Sequence, residues 1–234
     1  VSDRTVLPEG VPLHTAGDPH APTAVIVVQE AFGVNDHIED VTRRFADRGH
    51  FAVAPELFHR AGSPIIAYDD LPGAMAQLGL LTRDGLTEDL LATTNHLHRR
   101  GFHRANIAIV GYCMGGAVAL FADTLGLVGA AVTYYGGGVT TGRFGLAPLV
   151  ELAPSLTAPW LGLYGDRDPS IPVEQVEALG EAAARAPVET QIVRYHHGQH
   201  GFHCDARPAV YDETAAADAA RRTYEFLDRV LVAR

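Results

Sequence analysis

Apolar runs alternate with amphipathic stretches along most of the chain. Residues 23–29 (TAVIVVQ) are apolar almost throughout, as expected of a strand buried on both faces. Residues 36–48 then place Ile38, Val41 and Phe45 at helical spacing, and Gly49 stops the helix. A short strand over 51–54 ends at Pro55, and 61–70 reads as loop around Gly62, Ser63 and Pro64. The same alternation predicts a helix at 84–100, a strand at 106–110, a helix at 114–125 and a strand at 128–134. An irregular stretch over 136–158 separates these from a strand at 160–164, a helix at 173–186 and a strand at 188–195. A closing amphipathic helix over 211–232 carries Tyr224, Leu227 and Leu231 on one face. Strands separated by helices require crossover connections. The pattern therefore predicts an α/β fold, with a mostly parallel central sheet of at least six strands and helices on both faces. No repeat, low-complexity tract or linker interrupts residues 1–234, which read as a single domain.

Composition narrows the chemistry. The 234 residues are 47% hydrophobic and 20% charged, which suits a globular chain with a sizeable core and excludes disordered, collagen-like and coiled-coil classes. The longest apolar runs fall far short of the ~20 residues that cross a bilayer, and no leader-like stretch opens the chain. No membrane association and a cytoplasmic location are the expectations. A net charge of −10 repels phosphate backbones, so nucleic acid is not an expected partner. All 18 basic residues are Arg, so Schiff-base, Walker-type and Ser–Lys chemistry are absent. None of the Ser residues lies in a G-x-S-x-G motif. Cys113 and Cys204 are far apart in sequence and read as two thiols in a reducing compartment.

The strongest chemical signal is IAIVGYCMGG at 107–116. An apolar strand runs into Gly111-Tyr112-Cys113-Met114-Gly115 and then into a helix. This is the nucleophile-elbow pattern with Cys in place of Ser. Such a turn holds its central residue in a strained conformation and needs small residues two before and two after it, here Gly111 and Gly115. It sets Cys113 at a helix N-terminus, where the dipole favours thiolate, and aims backbone N–H groups above the sulfur. A buried structural Cys in a tight turn is the alternative.

A thiol nucleophile needs a His, and the His needs an orienting acid. The strand at 160–164 runs into Gly165-Asp166-Arg167-Asp168-Pro169, so Asp166 and Asp168 both qualify; a turn or helix cap explains either equally well. The strand ending at Tyr195 is followed by His196, His197, His200 and His203, any of which suits a catalytic loop. Cys204 and Asp205 extend that cluster toward a metal reading, but the two Gly within it break helical i,i+4 spacing, and no metal is expected. Glu30 ends the first strand, either at the ligand-facing edge or at the start of a solvent-facing loop. The next N–H, from Ala31, is placed to be an oxyanion donor. Phe32, Tyr135 and Phe202 suit either pocket walls or core.

These residues resemble the dienelactone hydrolase family of α/β-hydrolases over nearly the whole chain. QEAFGVN (29–35) is similar to its first active-site loop, GYCMGG (111–116) to its cysteine elbow, GDRDPSIP (165–172) to its acid loop and HGF (200–202) to its histidine loop. The segment 205–227 also resembles the family's last loop and helix. The resemblance implies an α/β-hydrolase fold and selects Asp168 and His200 as partners of Cys113. It implies that Glu30 contacts the resting thiol and that Ala31 and Met114 N–H groups form the oxyanion hole. It also implies cofactor-free hydrolysis of a small-molecule lactone or ester, with monomer as the default and homodimer as the other state. Well-known members open dienelactone in aromatic degradation. They hold the substrate carboxylate with arginines, one of them four residues after the His. Here that position is Cys204, and Arg60, Arg83 and Arg207 are the nearby cations. Three other readings compete: a non-catalytic small-molecule binder, a metal-binding protein, and a class I glutamine amidotransferase-like enzyme. For the last, His203 and Asp205 imitate the required His–Glu pair.

Overall fold

The computed structural model describes residues 3–233. The strands are β1 (Asp3–Val6), β2 (Pro12–Ala16), β3 (Ala24–Val28), β4 (Phe51–Pro55), β5 (Ile107–Tyr112), β6 (Ala130–Tyr134), β7 (Trp160–Gly165) and β8 (Thr190–Tyr195). They form one sheet in the order β1-β2-β4-β3-β5-β6-β7-β8. Neighbours from β4 through β8 are parallel, whereas β2 runs antiparallel to both β1 and β4. The helices are α1 (Asp36–Ala46), α2 (Leu71–Leu78), α3 (Arg83–Arg99), α4 (Met114–Thr124), α5 (Leu149–Leu152), α6 (Val173–Ala183) and α7 (Glu213–Val230). Every residue of β3 to β7 is buried, which requires cover on both faces of the sheet. Among the described residues, no helix is long and apolar enough to cross a membrane.

Local chemistry explains where the helices begin. The Asn35 side chain caps α1 through Ile38 N at 3.2 Å, Thr82 caps α3 through Gly85 N at 3.1 Å, and Asp212 caps α7 through Ala215 N at 3.0 Å. Acids open α1 and arginines close it, in the sense the helix dipole favours.

Three features depart from the pattern reading. The hairpin of β1 and β2 carries no readable alternation, because β1 is exposed along its whole length and β2 begins at a proline. Helix α2 follows the predicted loop, and Pro72 and Gly73 in its first turn hide it from a periodicity search. The closing helix ends at Val230, and Leu231 is extended with ψ 138°. Its buried stripe is Ala215, Ala219, Thr223, Phe226 and Leu227, with Tyr224 only half-buried. Small residues on that stripe let α7 approach the sheet closely enough for Thr223 Oγ1 to meet Tyr134 OH at 2.6 Å.

The sheet order positions the site. The chain goes from β3 to one side of the sheet (β4) and later returns to the other side (β5). The crevice between the ends of β3 and β5 is therefore a topological switch point, where open α/β sheets bind ligands. Val28 pairs with Gly111, so Glu30 and Cys113, each two residues further on, leave the sheet side by side. Gly165 likewise pairs with Tyr195, which brings the loops carrying Asp168 and His200 together.

The N-terminal hairpin is fastened by charge. Glu56 at the end of β4 accepts from Arg4 Nε at 2.6 Å and Arg4 Nη2 at 3.0 Å, and meets His14 Nε2 at 2.8 Å. Burial opposes ionisation of Glu56, but hydrogen bonds from Arg4, Ser63 and His14 outweigh it and pull its pKa down to about 2. A folded-state value below the unfolded one stabilises the fold above the unfolded pKa and loses that contribution as pH falls through the folded pKa. Glu56→Gln should therefore cost about 2 kcal/mol of unfolding free energy at pH 7, discounted for the half-exposed Arg4. Denaturant titrations at several pH values should show that gap closing between about pH 4.5 and pH 2. A gap independent of pH would remove Glu56 ionisation from the hairpin's anchorage.

Candidate active site

Three close backbone approaches build the turn after β5. A Cβ on Gly111 would lie 1.8 Å from Gly115 O, one on Gly115 would lie 2.4 Å from Val28 O, and one on Gly116 would lie 2.8 Å from Tyr134 O. Only glycine permits these contacts, and they press the N-terminus of α4 against the ends of β3 and β6. Cys113, between them, is held at φ 57° and ψ −118°, a conformation that residues with a side chain rarely adopt. Its N–H donates to Tyr134 O at 3.0 Å, and its side chain is half-buried at the helix N-terminus. Ala31 leaves β3 beside this turn. Among the described residues, neither Ala31 N–H nor Met114 N–H is used in a loop or turn hydrogen bond. Both are available to an oxyanion.

Asp168 and His200 come together from adjacent loops. His200 Nδ1 lies 2.6 Å from Asp168 Oδ2, with the carboxylate almost wholly buried and the imidazole one quarter exposed. Ser170 completes the arrangement. Its N–H and hydroxyl donate to the other carboxylate oxygen, Oδ1, at 2.8 and 2.6 Å, and its Oγ is 3.3 Å from His200 Nδ1. Burial pulls the His200 pKa down, but hydrogen bonds and charge from Cys113 and Asp168 overcome it and hold the imidazole well above its usual value. Burial likewise opposes ionisation of Asp168, and His200 and Ser170 more than offset it, keeping the carboxyl below its ordinary range. The result is a thiol facing an imidazole whose far nitrogen is fixed by an ionised acid.

Glu30 is buried beside this group, but it makes no hydrogen bond to Cys113. One carboxylate oxygen accepts from Tyr135 OH at 3.2 Å, and the other has no partner. Tyr135 is itself fully buried, with φ 39°, and its ring lies 5.2 Å from His200. It supports both Glu30 and His200 from below. Phe202 is equally buried, packed on Tyr135 at 5.3 Å and Tyr195 at 5.0 Å, and backs the histidine loop. Phe32 lies edge-on to Tyr68 at 4.8 Å.

Two neighbours escape a reading of motifs. Tyr68 accepts from Asn35 at 3.1 Å and from the Cys204 thiol at 3.5 Å. Burial, then the Glu30 charge, push the Cys204 pKa up to about 12, so this second sulfur stays a thiol. Ser170 is the other; its only sequence signal is an Asp two residues before a Ser, a turn pattern of low specificity. Of the three nearby arginines, Arg60 is paired with Glu88 and Asp89, and Arg83 lies over Phe121 at 5.8 Å. Arg207 alone faces this region, its guanidinium 5.3 Å from the Phe32 ring and 5.5 Å from that of Tyr68.

The remaining candidates lie elsewhere. Asp166 is a surface ion-pair partner of Arg194 at 2.7 Å, and His196 sits exposed beside it. His203 is buried against Tyr112 and Tyr134, and desolvation lowers its pKa to about 3. Asp205 turns instead to His37 and Arg44, so the pair imitating an amidotransferase dyad is not assembled. Among the described residues, no group of three or more His, Cys, Asp or Glu side chains is placed to hold a metal ion.

Comparison with known proteins agrees with this architecture. The sequence profile of the family described as "Dienelactone hydrolase family" matches residues 13–231. A Salmonella typhimurium protein named "Putative carboxymethylenebutenolidase" is 39% identical over 206 residues, covering 86% of this chain and 75% of that protein. A Rhodococcus opacus protein named "Carboxymethylenebutenolidase" is 28% identical over 233 residues, covering 98% of this chain and 90% of that protein. A crystal structure described as a "Putative Dienelactone Hydrolase", from Klebsiella pneumoniae, superposes with a TM-score of 0.84 at 33% identity, covering 98% of both chains. With its elbow, acid loop and histidine loop all inside the matched span, the chain belongs to the dienelactone hydrolase family and is a carboxylic ester hydrolase.

Proposed function

We propose that the chain opens an enol-lactone or similarly activated ester through a covalent thioester on Cys113. The observation that carries this reading is the 2.6 Å Asp168–His200 contact facing a cysteine at a helix N-terminus. The Cys113 thiolate adds to the substrate carbonyl carbon, and the carbonyl oxygen becomes an oxyanion received by Ala31 and Met114 N–H. Each such donor supplies roughly 3–4 kcal/mol where one has been removed elsewhere. The ring C–O bond then breaks, its electron pair leaves as an enolate, and His200 gives that enolate the proton it had taken from the Cys113 thiol. Water, deprotonated by His200, attacks the thioester carbonyl; the C–S bond breaks, and a carboxylic acid and free thiolate result. Asp168 holds the imidazole in the tautomer and orientation both steps need, and Ser170 holds Asp168. An enolate is a stabilised leaving group, which suits a thiolate nucleophile better than a simple alkoxide does.

The cation at Arg207, stacked on Phe32 and Tyr68, favours substrates that carry a carboxylate beside the scissile bond. It takes the part that, in the resemblance, falls to an arginine at the position occupied here by Cys204.

Four expected outcomes test this reading. Hydrolysis of a dienelactone, followed by its ultraviolet absorbance, should be lost in Cys113→Ala; turnover surviving in that variant would displace the nucleophile. Asp168→Asn should lower kcat/KM by about 1,000- to 10,000-fold with the fold intact, whereas Ser170→Ala, which removes one hydrogen bond to the acid, should cost about 3- to 10-fold. Simple alkyl esters should turn over more slowly than enol-lactones, and equal rates would argue against the enolate leaving group.

A further inference from the structure

A second cavity of about 210 Å³ lies outside the site just described, between the end of β4, helix α2 and the start of α3. Leu57, Phe58 and Leu86 form its walls, all of them almost fully buried, and Leu81 stands at its mouth. The two polar groups that matter are Gln77 and Thr82. Gln77 Oε1 is buried and has no hydrogen-bond partner. Thr82 Oγ1 accepts from Gly85 N at 3.1 Å, which leaves its own proton to donate. The charges at the rim are already matched: Arg60 bonds to Asp89 at 2.8 Å and Glu88 at 2.9 Å, and Asp89 also meets His59 at 3.0 Å.

Each feature restricts what fits. An apolar cavity of about 150 Å³ accommodates benzene, so this one has room for a single ring with a substituent. A buried carbonyl oxygen without a donor is destabilising, and a ligand O–H satisfies it. Neutralised rim charges give no purchase to an ion. We propose that the cavity is a second small-molecule site, taking a neutral, mostly apolar molecule of about one ring that bears a hydroxyl group. Its hydroxyl donates to Gln77 Oε1 and accepts from Thr82, and its ring lies on Phe58 and the leucines. The site shares no residue with Cys113, Asp168, His200 or Glu30. It adjoins them through one link: Leu57 N–H donates to Gln29 Oε1 at 3.0 Å, and Gln29 Nε2 donates to Glu30 O at 3.3 Å.

Phenol and toluene, which differ by a hydroxyl, are the probes, and binding is read by calorimetry or ligand-observed NMR on the full chain. To close the catalytic crevice, Cys113 is alkylated with iodoacetamide; the readout then does not depend on ester turnover and stands apart from the proposed reaction. Phenol should saturate, with the same Kd within two-fold before and after alkylation, and should bind about 2- to 10-fold more tightly than toluene, the worth of one hydrogen bond. Gln77→Leu should remove the preference for phenol while keeping toluene binding. Gly85→Leu should weaken phenol at least ten-fold, because a Cβ there already lies 3.4 Å from Arg60 Cζ and the added side chain fills the space. Circular dichroism and thermal melting show whether each variant is folded. If Gly85→Leu fails to fold, Gln77→Leu still decides the matter. No saturable phenol binding, loss of binding on alkylation, or an unchanged phenol preference in folded Gln77→Leu would each overturn the proposal.

Discussion

Three backbones meet after β5 at distances that leave no room for a side chain. Gly111 faces Gly115 O, Gly115 faces the last carbonyls of β3, and Gly116 faces Tyr134 O. Everything else in the site follows from that contact. It forces Cys113 into a positive-φ conformation and sets its sulfur at the first turn of α4. An added methyl group at any of the three glycines would need the strand and helix ends to separate, and Cys113 and the neighbouring Glu30 would move with them. The turn is thus both a packing constraint and the device that gathers the reactive groups.

Around this turn, two sulfurs and two acids have different neighbours. Asp168 is buried but fully hydrogen-bonded, so it stays ionised and holds His200. Glu30 is buried, and among the described residues its side chain accepts one hydrogen bond, from Tyr135; burial first and then the Glu30 charge raise the Cys204 pKa. Cys113 faces an imidazole; Cys204 faces a carboxylate and the Tyr68 hydroxyl. Two identical side chains thus have neighbours of different charge, and such differences are the usual way that protein sites separate chemical roles.

Much of this was legible in the residues, for reasons that differ from place to place. The strands β3, β5, β6 and β7 are buried on both faces and so read as apolar runs bounded by turns. The elbow is legible because its steric demand can be met by one residue type at two fixed positions. The acid was less so: Asp166 and Asp168 share a loop, and choosing between them by residue pattern alone was impossible, since Arg194 claims one and Ser170 and His200 claim the other only after folding. The hairpin of β1 and β2 was unreadable because its stability comes from the long-range Arg4–Glu56–His14 cluster rather than from alternation. Helix α2 was hidden because Pro72 and Gly73, poor formers in a helix interior, are tolerated in its first turn.

By itself the sequence determined the α/β class, the position of the elbow and the set of groups from which a thiol, an imidazole and an acid must be drawn. These are local matters: periodicity follows from burial of a face, and a G-x-C-x-G turn follows from the volume of its residues. Tertiary structure brought together Asp168 and His200, which the resemblance had selected, and it alone decided that Tyr135 holds Glu30, that Arg207 rather than Arg60 or Arg83 faces the crevice, and that Cys204 stays protonated. Each of those depends on residues more than twenty positions apart meeting across the ends of parallel strands, and the strand order that brings them together is written in no single segment of the chain.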